Sequence, residues 1–131
     1  MGRGLLLWSL QAAIAVLAAR RGLDVVDVRG RSMAPALLPG DRLLVARVGS
    51  SRVGNVVLAA DPRDQRRELV KRVSGLDAGG VTLRGDNPSE STDSRTFGTV
   101  PRSAVRWRVI GRYWPPGRIG PVPPAPRIAP F

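Results

Sequence analysis

Residues 23–48 read LDVVDVRGRSMAPALLPGDRLLVARV, and this stretch decides the fold class. Two runs rich in Val and Leu, Leu23–Arg29 and Arg42–Val48, flank a loop of Gly and Pro residues, a pattern that predicts two β-strands. The loop places Ser32 just after a strand and close to Gly30, which can adopt backbone angles that other residues avoid. An exposed hydroxyl on a rigid bend suits a nucleophile, although a serine in such a loop is usually a turn residue.

The same pattern continues along the chain to about residue 113. Four further short apolar runs are Val56–Ala60, Glu68–Val73, Val81–Arg84 and Val105–Arg112. Turn-forming residues separate them, and no long helical periodicity follows residue 21. Short strands at this spacing predict a mainly β domain, either a compact barrel or a sandwich.

The 131 residues divide into three parts. Residues 22–114 are enough for one domain with a modest core. Residues 1–21 are an apolar run between arginines and predict one hydrophobic helix. Residues 115–131 hold seven of the 12 prolines and predict an extended, poorly ordered tail.

The N-terminal helix has several possible roles. Its uncharged residues would span ~24 Å against the ~30 Å of a hydrocarbon core, which makes residues 5–19 a marginal membrane span or an interfacial helix. A helix docked on the β domain and a cleaved signal peptide are the alternatives. If the helix spans a membrane, Arg20 and Arg21 predict that the rest of the chain stays on the cytoplasmic side. Without insertion, a cytoplasmic protein is expected.

The composition excludes several classes of site. The chain has no His and no Cys, which rules out Ser-His-Asp and Cys-His triads, thiol redox chemistry and zinc sites built from these residues. We expect neither a cofactor nor a metal. The net charge of +11 favours anionic partners. A non-catalytic basic β-barrel that binds nucleic acid is therefore the alternative function, although six aromatic residues provide few stacking platforms.

Lys71 is the only lysine, beside 20 arginines. Period-two alternation in Glu68–Val73 places it on the inward face with Leu69 and Val73. Apolar burial favours a neutral amine, and a neutral amine beside a serine hydroxyl is a general base for nucleophilic attack. The alternative is a lysine at the rim of the domain with its charged end in water.

Three segments together resemble the bacterial signal peptidase I family of Ser/Lys endopeptidases. They are Ser32-Met33-Ala34-Pro35-Ala36-Leu37 with Gly40-Asp41, then Lys71-Arg72-Val73, then Gly85-Asp86-Asn87 with Ser91-Thr92-Asp93-Ser94-Arg95. Their order along the chain matches the order of the boxes in that family. The resemblance covers about residues 25–114.

The resemblance implies a small signal-peptidase-like β-barrel with one N-terminal hydrophobic helix. It makes Ser32 the nucleophile, with its backbone N–H in the oxyanion hole, Lys71 the general base and Ser91 the hydroxyl that orients the amine. Gly30 and Met33 would contact substrate, and Gly30 stands where some relatives have a serine that helps the oxyanion. The residues that would support the site are Gly85, Asp86, Asn87, Asp93, Ser94 and Arg95, with Asp93 and Arg95 as an ion pair.

The implied activity is removal of an N-terminal signal or propeptide from a protein substrate by a monomeric enzyme. The Gly-Asp-Asn-Pro motif at residues 85–88 and the small size of the chain resemble the subgroup of nickel-type superoxide dismutase maturation peptidases. Mitochondrial inner-membrane peptidases also contain this motif. A self-cleaving repressor with a Ser-Lys pair would need a DNA-binding domain, for which residues 1–21 are too few.

Overall fold

A computed structural model describes residues 2–20, 22–47 and 49–126. Its elements are helix α1 (Gly2–Arg20), strands β1 (Leu23–Asp27), β2 (Arg42–Arg47), β3 (Val56–Asp61), β4 (Asp64–Asp77) and β5 (Gly80–Arg84), a short helix α2 (Ser94–Phe97) and strand β6 (Val105–Trp114). The strands form one antiparallel sheet in the order β1-β2-β6-β3-β4-β5. The predicted strands and the mainly β class with one N-terminal helix are confirmed.

The sheet is open, not closed into a barrel, in the described part of the chain. Strands β1 and β5 are its edges. Strand β4 is longer than predicted because it takes part in two hairpins, pairing with β3 up to Arg72 and with β5 from Arg72 onward. The first half of β4 and the outer side of β1 therefore keep backbone edges that no described strand occupies, and such edges can accept an added strand.

Strand β3 lies between two apolar cores. Val56 and Leu58 belong to one core, and Val57 and Ala59 belong to the other. Successive side chains of a strand point to opposite faces, so a strand buried on both faces reads as an unbroken apolar run. The first core also contains Met33, which anchors the loop after β1.

Helix α1 packs against β1 and presents much of its apolar surface to solvent. Arg42 donates a hydrogen bond to the Gln11 side chain, which joins the helix to the sheet. Leu6 and Trp8 are 70% and 74% exposed. No helix in the described ranges has both the length and the apolar character that crossing a bilayer requires.

The prediction of a poorly ordered tail is wrong for residues 115–123. Backbone hydrogen bonds of 2.8 and 3.0 Å pair Arg112 on β6 with Gly120, and Val122 packs against the first core. The Pro123 carbonyl accepts a 2.9 Å hydrogen bond from Arg72. Proline restricts the backbone of this segment, so such contacts order it at a low entropic cost.

Candidate active site

Ser32 and Lys71 line the same cleft, which has a volume of about 820 Å³. The end of β1 and the segment that follows it form one wall, and the first half of β4 forms the other. Gly30 and Met33 also line the cleft. Ser32 is half-buried. Folding therefore brings together two segments that are about 40 residues apart in the sequence.

The amine of Lys71 is buried, as the strand alternation predicted. Lys71 as a whole is 4% exposed. It pairs with Val57 of β3, which has no exposed surface. Opposed residues on neighbouring strands share a face of the sheet, so the lysine stem has an apolar neighbour. The amine donates a 3.2 Å hydrogen bond to Oγ of Ser91.

Burial lowers the pKa of Lys71 below its ordinary value of 10.5. The Asp93 carboxylate opposes this shift, while the guanidinium charges of Arg67, Arg95 and Arg63 add to it. An amine in this environment loses its proton more readily than a lysine in water. The strand thus provides an amine whose neutral form is easier to reach than that of an exposed lysine.

Asp93 holds the hydroxyl that contacts the amine. Its Oδ2 accepts hydrogen bonds from Ser91 Oγ at 2.8 Å and from the Gly85 N–H at 2.9 Å. Arg95 donates from Nε at 2.9 Å and from Nη2 at 2.6 Å, which makes the ion pair that the resemblance implies. Burial alone would raise the pKa of Asp93, but the hydrogen bonds from Arg95, Gly85 and Ser91 outweigh it and hold the pKa well below its usual range.

Gly85 is the point at which the segments that carry Ser32 and Ser91 meet. A Cβ at this position would lie 2.2 Å from Ser91 Oγ and 2.6 Å from the Ser32 carbonyl oxygen. Asn87, two residues further along the chain, also contacts Ser32. Its N–H donates a hydrogen bond of 2.9 Å to the same carbonyl. The Asn87 side chain donates to the Arg31 carbonyl at 3.1 Å. The backbone on either side of the Ser32 hydroxyl is thus held by the loop that contains Ser91.

A buried ion pair joins β4 to this same loop. Arg72, next to Lys71, donates to both carboxylate oxygens of Asp86 at 2.9 and 2.8 Å. Its remaining donors reach the carbonyls of Gly54 at 2.9 Å and Pro123 at 2.9 Å. A two-point contact between guanidinium and carboxylate fixes orientation as well as distance.

A second buried network holds the far end of the loop that contains Ser32. Asp41 accepts from the Leu38 N–H at 2.9 Å, from Arg112 at 3.2 Å and from Arg118 at 2.9 Å. Arg112 also donates to the Ala36 carbonyl at 2.8 Å. The loop between Gly30 and Asp41 is therefore fixed to β6 and to the C-terminal segment. The sequence showed no sign of this network, since its partners lie about 70 positions apart.

The structure brings the site residues together but does not join Ser32 to Lys71 directly. Within the described ranges, no hydrogen bond connects the Ser32 hydroxyl with the amine, whose partner is Ser91. Ser94, which the resemblance assigns to support, accepts a 2.8 Å hydrogen bond from the Leu83 N–H. No group of three or more acidic side chains placed to hold a metal ion occurs among the described residues.

Comparisons with known proteins agree on one family. The family described as signal peptidase, peptidase S26, matches residues 3–84. A mitochondrial ATP-independent inner membrane protease subunit 1a from Arabidopsis thaliana is 35% identical over an alignment of 125 residues, covering 75% of this chain and 74% of the relative. The human mitochondrial inner membrane protease subunit 1 is 31% identical, with 70% and 69% covered. Subunit 2 from Saccharomyces cerevisiae is 29% identical, with 75% and 72% covered.

The chain belongs to the signal peptidase family, peptidase S26. Family and relatives alike support a peptidase, and hence a hydrolase. The matched residues include Ser32 and Lys71 and end one residue before Gly85. The loop with Ser91 and Asp93 is connected to the site by the hydrogen bonds described above.

The close approach at Gly85 predicts a large loss of activity in Gly85→Ala. Because the added methyl group cannot fit between Ser91 Oγ and the Ser32 carbonyl, one or both must move. A displacement of this size is expected to lower kcat/KM of peptide cleavage about 100-fold. Gly117→Ala is the control, since no atom beyond the adjoining residues lies within 4 Å of a Cβ there, and the activity of this variant should be unchanged. Equal activity in the two variants would show that the contact is not needed.

The lowered pKa of Lys71 predicts a pH-dependent stability difference between the wild type and Lys71→Met. Between the lowered pKa of the folded state and 10.5, the unfolded wild-type chain binds more protons than the folded one. The wild-type free energy of unfolding therefore rises with pH across this window, by at most about 1.4 kcal/mol per pH unit. Urea unfolding should find Lys71→Met more stable at neutral pH, with the advantage shrinking towards pH 10.5. A difference that does not change with pH would contradict the assigned direction.

Proposed function

We propose that this protein is a serine endopeptidase in which Ser32 and Lys71 form a catalytic dyad. The observation that supports the proposal best is the buried amine with a lowered pKa in the same cleft as the Ser32 hydroxyl. An arginine could not act in this way, because a guanidinium keeps its proton at any physiological pH. The family membership favours this activity over the nucleic-acid-binding alternative.

The reaction runs through an acyl-enzyme. Lys71 takes the proton of the Ser32 hydroxyl while Oγ attacks the scissile carbonyl carbon, and the backbone N–H of Ser32 donates to the oxyanion. The C–N bond then breaks, and the protonated amine gives its proton to the leaving nitrogen. Lys71 next takes a proton from a water molecule, whose oxygen attacks the acyl carbon. The bond to Ser32 Oγ then breaks, and Lys71 returns the proton to Oγ. The first step requires the Ser32 hydroxyl to turn towards the amine when substrate binds, as catalytic hydrogen bonds commonly tighten in the complex.

Ser91 and Asp93 act as positioning residues in this scheme. The Ser91 hydroxyl donates to Asp93, so its oxygen accepts an N–H from the amine. This contact fixes the rotation of the amine and leaves its lone pair free for the Ser32 proton. The Arg95 charge keeps Asp93 ionised, so that Ser91 retains its acceptor role.

The substrate is a protein with an N-terminal signal or propeptide, bound as an extended strand. The free edges of β1 and of the first half of β4 face the cleft, and both offer backbone groups for strand addition. Gly30 and Met33 line the cleft, which supports their proposed contact with the residues before the cut. The nickel superoxide dismutase precursor is the specific substrate that the resemblance suggests.

We place this activity at a membrane surface. Helix α1 exposes Leu6, Trp8 and Leu10, which are apolar side chains that an interface would cover. The similar proteases named above are inner membrane proteins in mitochondria. Arginines near the end of the helix favour a cytoplasmic position for the β domain.

Ser32→Ala and Lys71→Arg should each abolish peptide cleavage. Each substitution removes one member of a catalytic pair that works only as a pair. We therefore expect kcat to fall at least about 1,000-fold in either variant and no further in the double variant. Mass spectrometry would follow cleavage of extended peptides with small residues before one scissile bond. Circular dichroism and thermal unfolding would show that the variants are folded.

Ser89→Ala is the matched control for the serine substitution. Ser89 is exposed in the same polar loop and donates only to the Asn87 side chain in the described structure. Its activity should stay within about twofold of the wild type, as for most exposed substitutions. Turnover retained by a folded Lys71→Arg variant would remove the dyad from this account.

A further inference from the structure

The walls of the active-site cleft carry an unusual number of arginines. Two lie in the segment that leads to Ser32, and three lie on β4 and the turn before it. The five are Arg29, Arg31, Arg63, Arg66 and Arg67. All five are exposed to solvent.

Most of this positive charge has no ion-pair partner in the described structure. Asp61 binds Arg63 through both carboxylate oxygens, at 3.0 and 2.9 Å, and Phe97 lies under the same guanidinium. No ion pair within the described ranges involves Arg29, Arg31, Arg66 or Arg67.

The acidic groups of the cleft do not balance this charge. They are Asp27, Glu68 and Glu90. Asp27 lies 3.7 Å from Arg42, and Glu90 accepts a hydrogen bond from Asn87, so both are already engaged by other groups. The cleft therefore has a surplus of positive charge, and like charges held in one concave site attract an anionic ligand.

The geometry of the walls indicates which anion fits. The arginines flank two free strand edges, which hydrogen-bond an extended backbone and not a flat surface. A bound peptide strand rises about 3.3 Å per residue, as the wall of the cleft does. The part of the peptide that pairs with residues 26–31 is therefore about six residues long. Its side chains would come within reach of guanidinium groups from both walls. An anionic membrane would contact an exposed face of the molecule and could not enter between the walls.

We propose that the enzyme selects acidic substrates, with Asp or Glu side chains in the roughly six residues that occupy the cleft. This inference rests on the proposed peptidase function and names its substrate class. Arg66 and Arg67 are the specificity-determining residues on the β4 wall.

The test compares matched peptides that differ only in charge. One peptide has two Gln residues near the scissile bond, and its partners have two Glu residues before or after the bond. At low ionic strength, kcat/KM for the better Glu peptide should exceed that for the Gln peptide about tenfold. The ratio should fall towards one in about 1 M salt, where the Debye length is ~3 Å. The salt series uses the wild-type protein, so it does not depend on the folding of any variant.

The variant Arg66→Gln/Arg67→Gln should lower the Glu-to-Gln ratio to about two or three. The ratio cancels any change in the basicity of Lys71, which would affect both peptides equally. Arg106→Gln/Arg108→Gln is the control, because it removes the same charge from two exposed β6 residues outside the cleft and should keep the wild-type ratio.

Three outcomes have distinct meanings. Equal cleavage of all peptides would overturn the acidic preference while leaving the peptidase function intact. Absence of cleavage of any peptide would count against the peptidase function itself. Vesicles of equal parts phosphatidylglycerol and phosphatidylcholine test the other anionic surface. If Arg66→Gln/Arg67→Gln loses vesicle binding but keeps the peptide ratio, the arginines contact lipid and the proposal is wrong.

Discussion

The hydrogen bond between the Lys71 amine and the Ser91 hydroxyl links β4 to the loop that organises the candidate site. It joins an amine that burial makes easier to deprotonate to a hydroxyl held by Asp93. The Asp93 carboxylate also binds the backbone of Gly85, where the loop meets the Ser32 segment. A shift of this carboxylate would therefore disturb both Lys71 and Ser32, the two members of the proposed dyad. The loop would support the proposed chemistry by holding Lys71 and Ser32 in place.

Two buried ionic networks hold the backbone around this hydrogen bond. Arg72 and Asp86 fix β4 to the start of the loop that contains Ser91, while Asp41 and Arg112 fix the loop that contains Ser32 to β6. Buried ion pairs add little net stability compared with apolar packing, but removal of one partner costs about 3–5 kcal/mol. Their contribution here is orientation, since each fixes a segment one or a few residues away from Ser32 or Lys71. The proline-rich segment takes part in both networks.

The sequence predicted those parts of the molecule that depend on local patterns. The strands follow from alternating or continuous apolar runs, and the burial of Lys71 follows from the period of a single strand. The three boxes named residues that folding brings into one cleft and the loop beside it, and their catalytic roles stay a prediction. The role of Arg112 and Arg118 could not be predicted, because their contacts with Asp41 depend on the pairing of β6 with β2. The order in residues 115–123 was missed for a related reason, since Gly120 and Pro123 gain their partners from distant strands. The open sheet was also beyond local patterns, because closure depends on where β4 changes partner.

The pKa of Lys71 tests the central claim most directly, and this chain makes it simple to measure. Because the sequence contains one lysine, ¹³Cε-labelled lysine gives a single side-chain resonance with no need for assignment. A pH titration followed by NMR should place its midpoint clearly below the ordinary value of 10.5, since burial disfavours the charged amine. The titration would be carried out on Ser32→Ala, which cannot cleave itself or other copies. A midpoint at or above 10.5 would show that the amine stays protonated at physiological pH, and the general-base role of Lys71 would have to be abandoned.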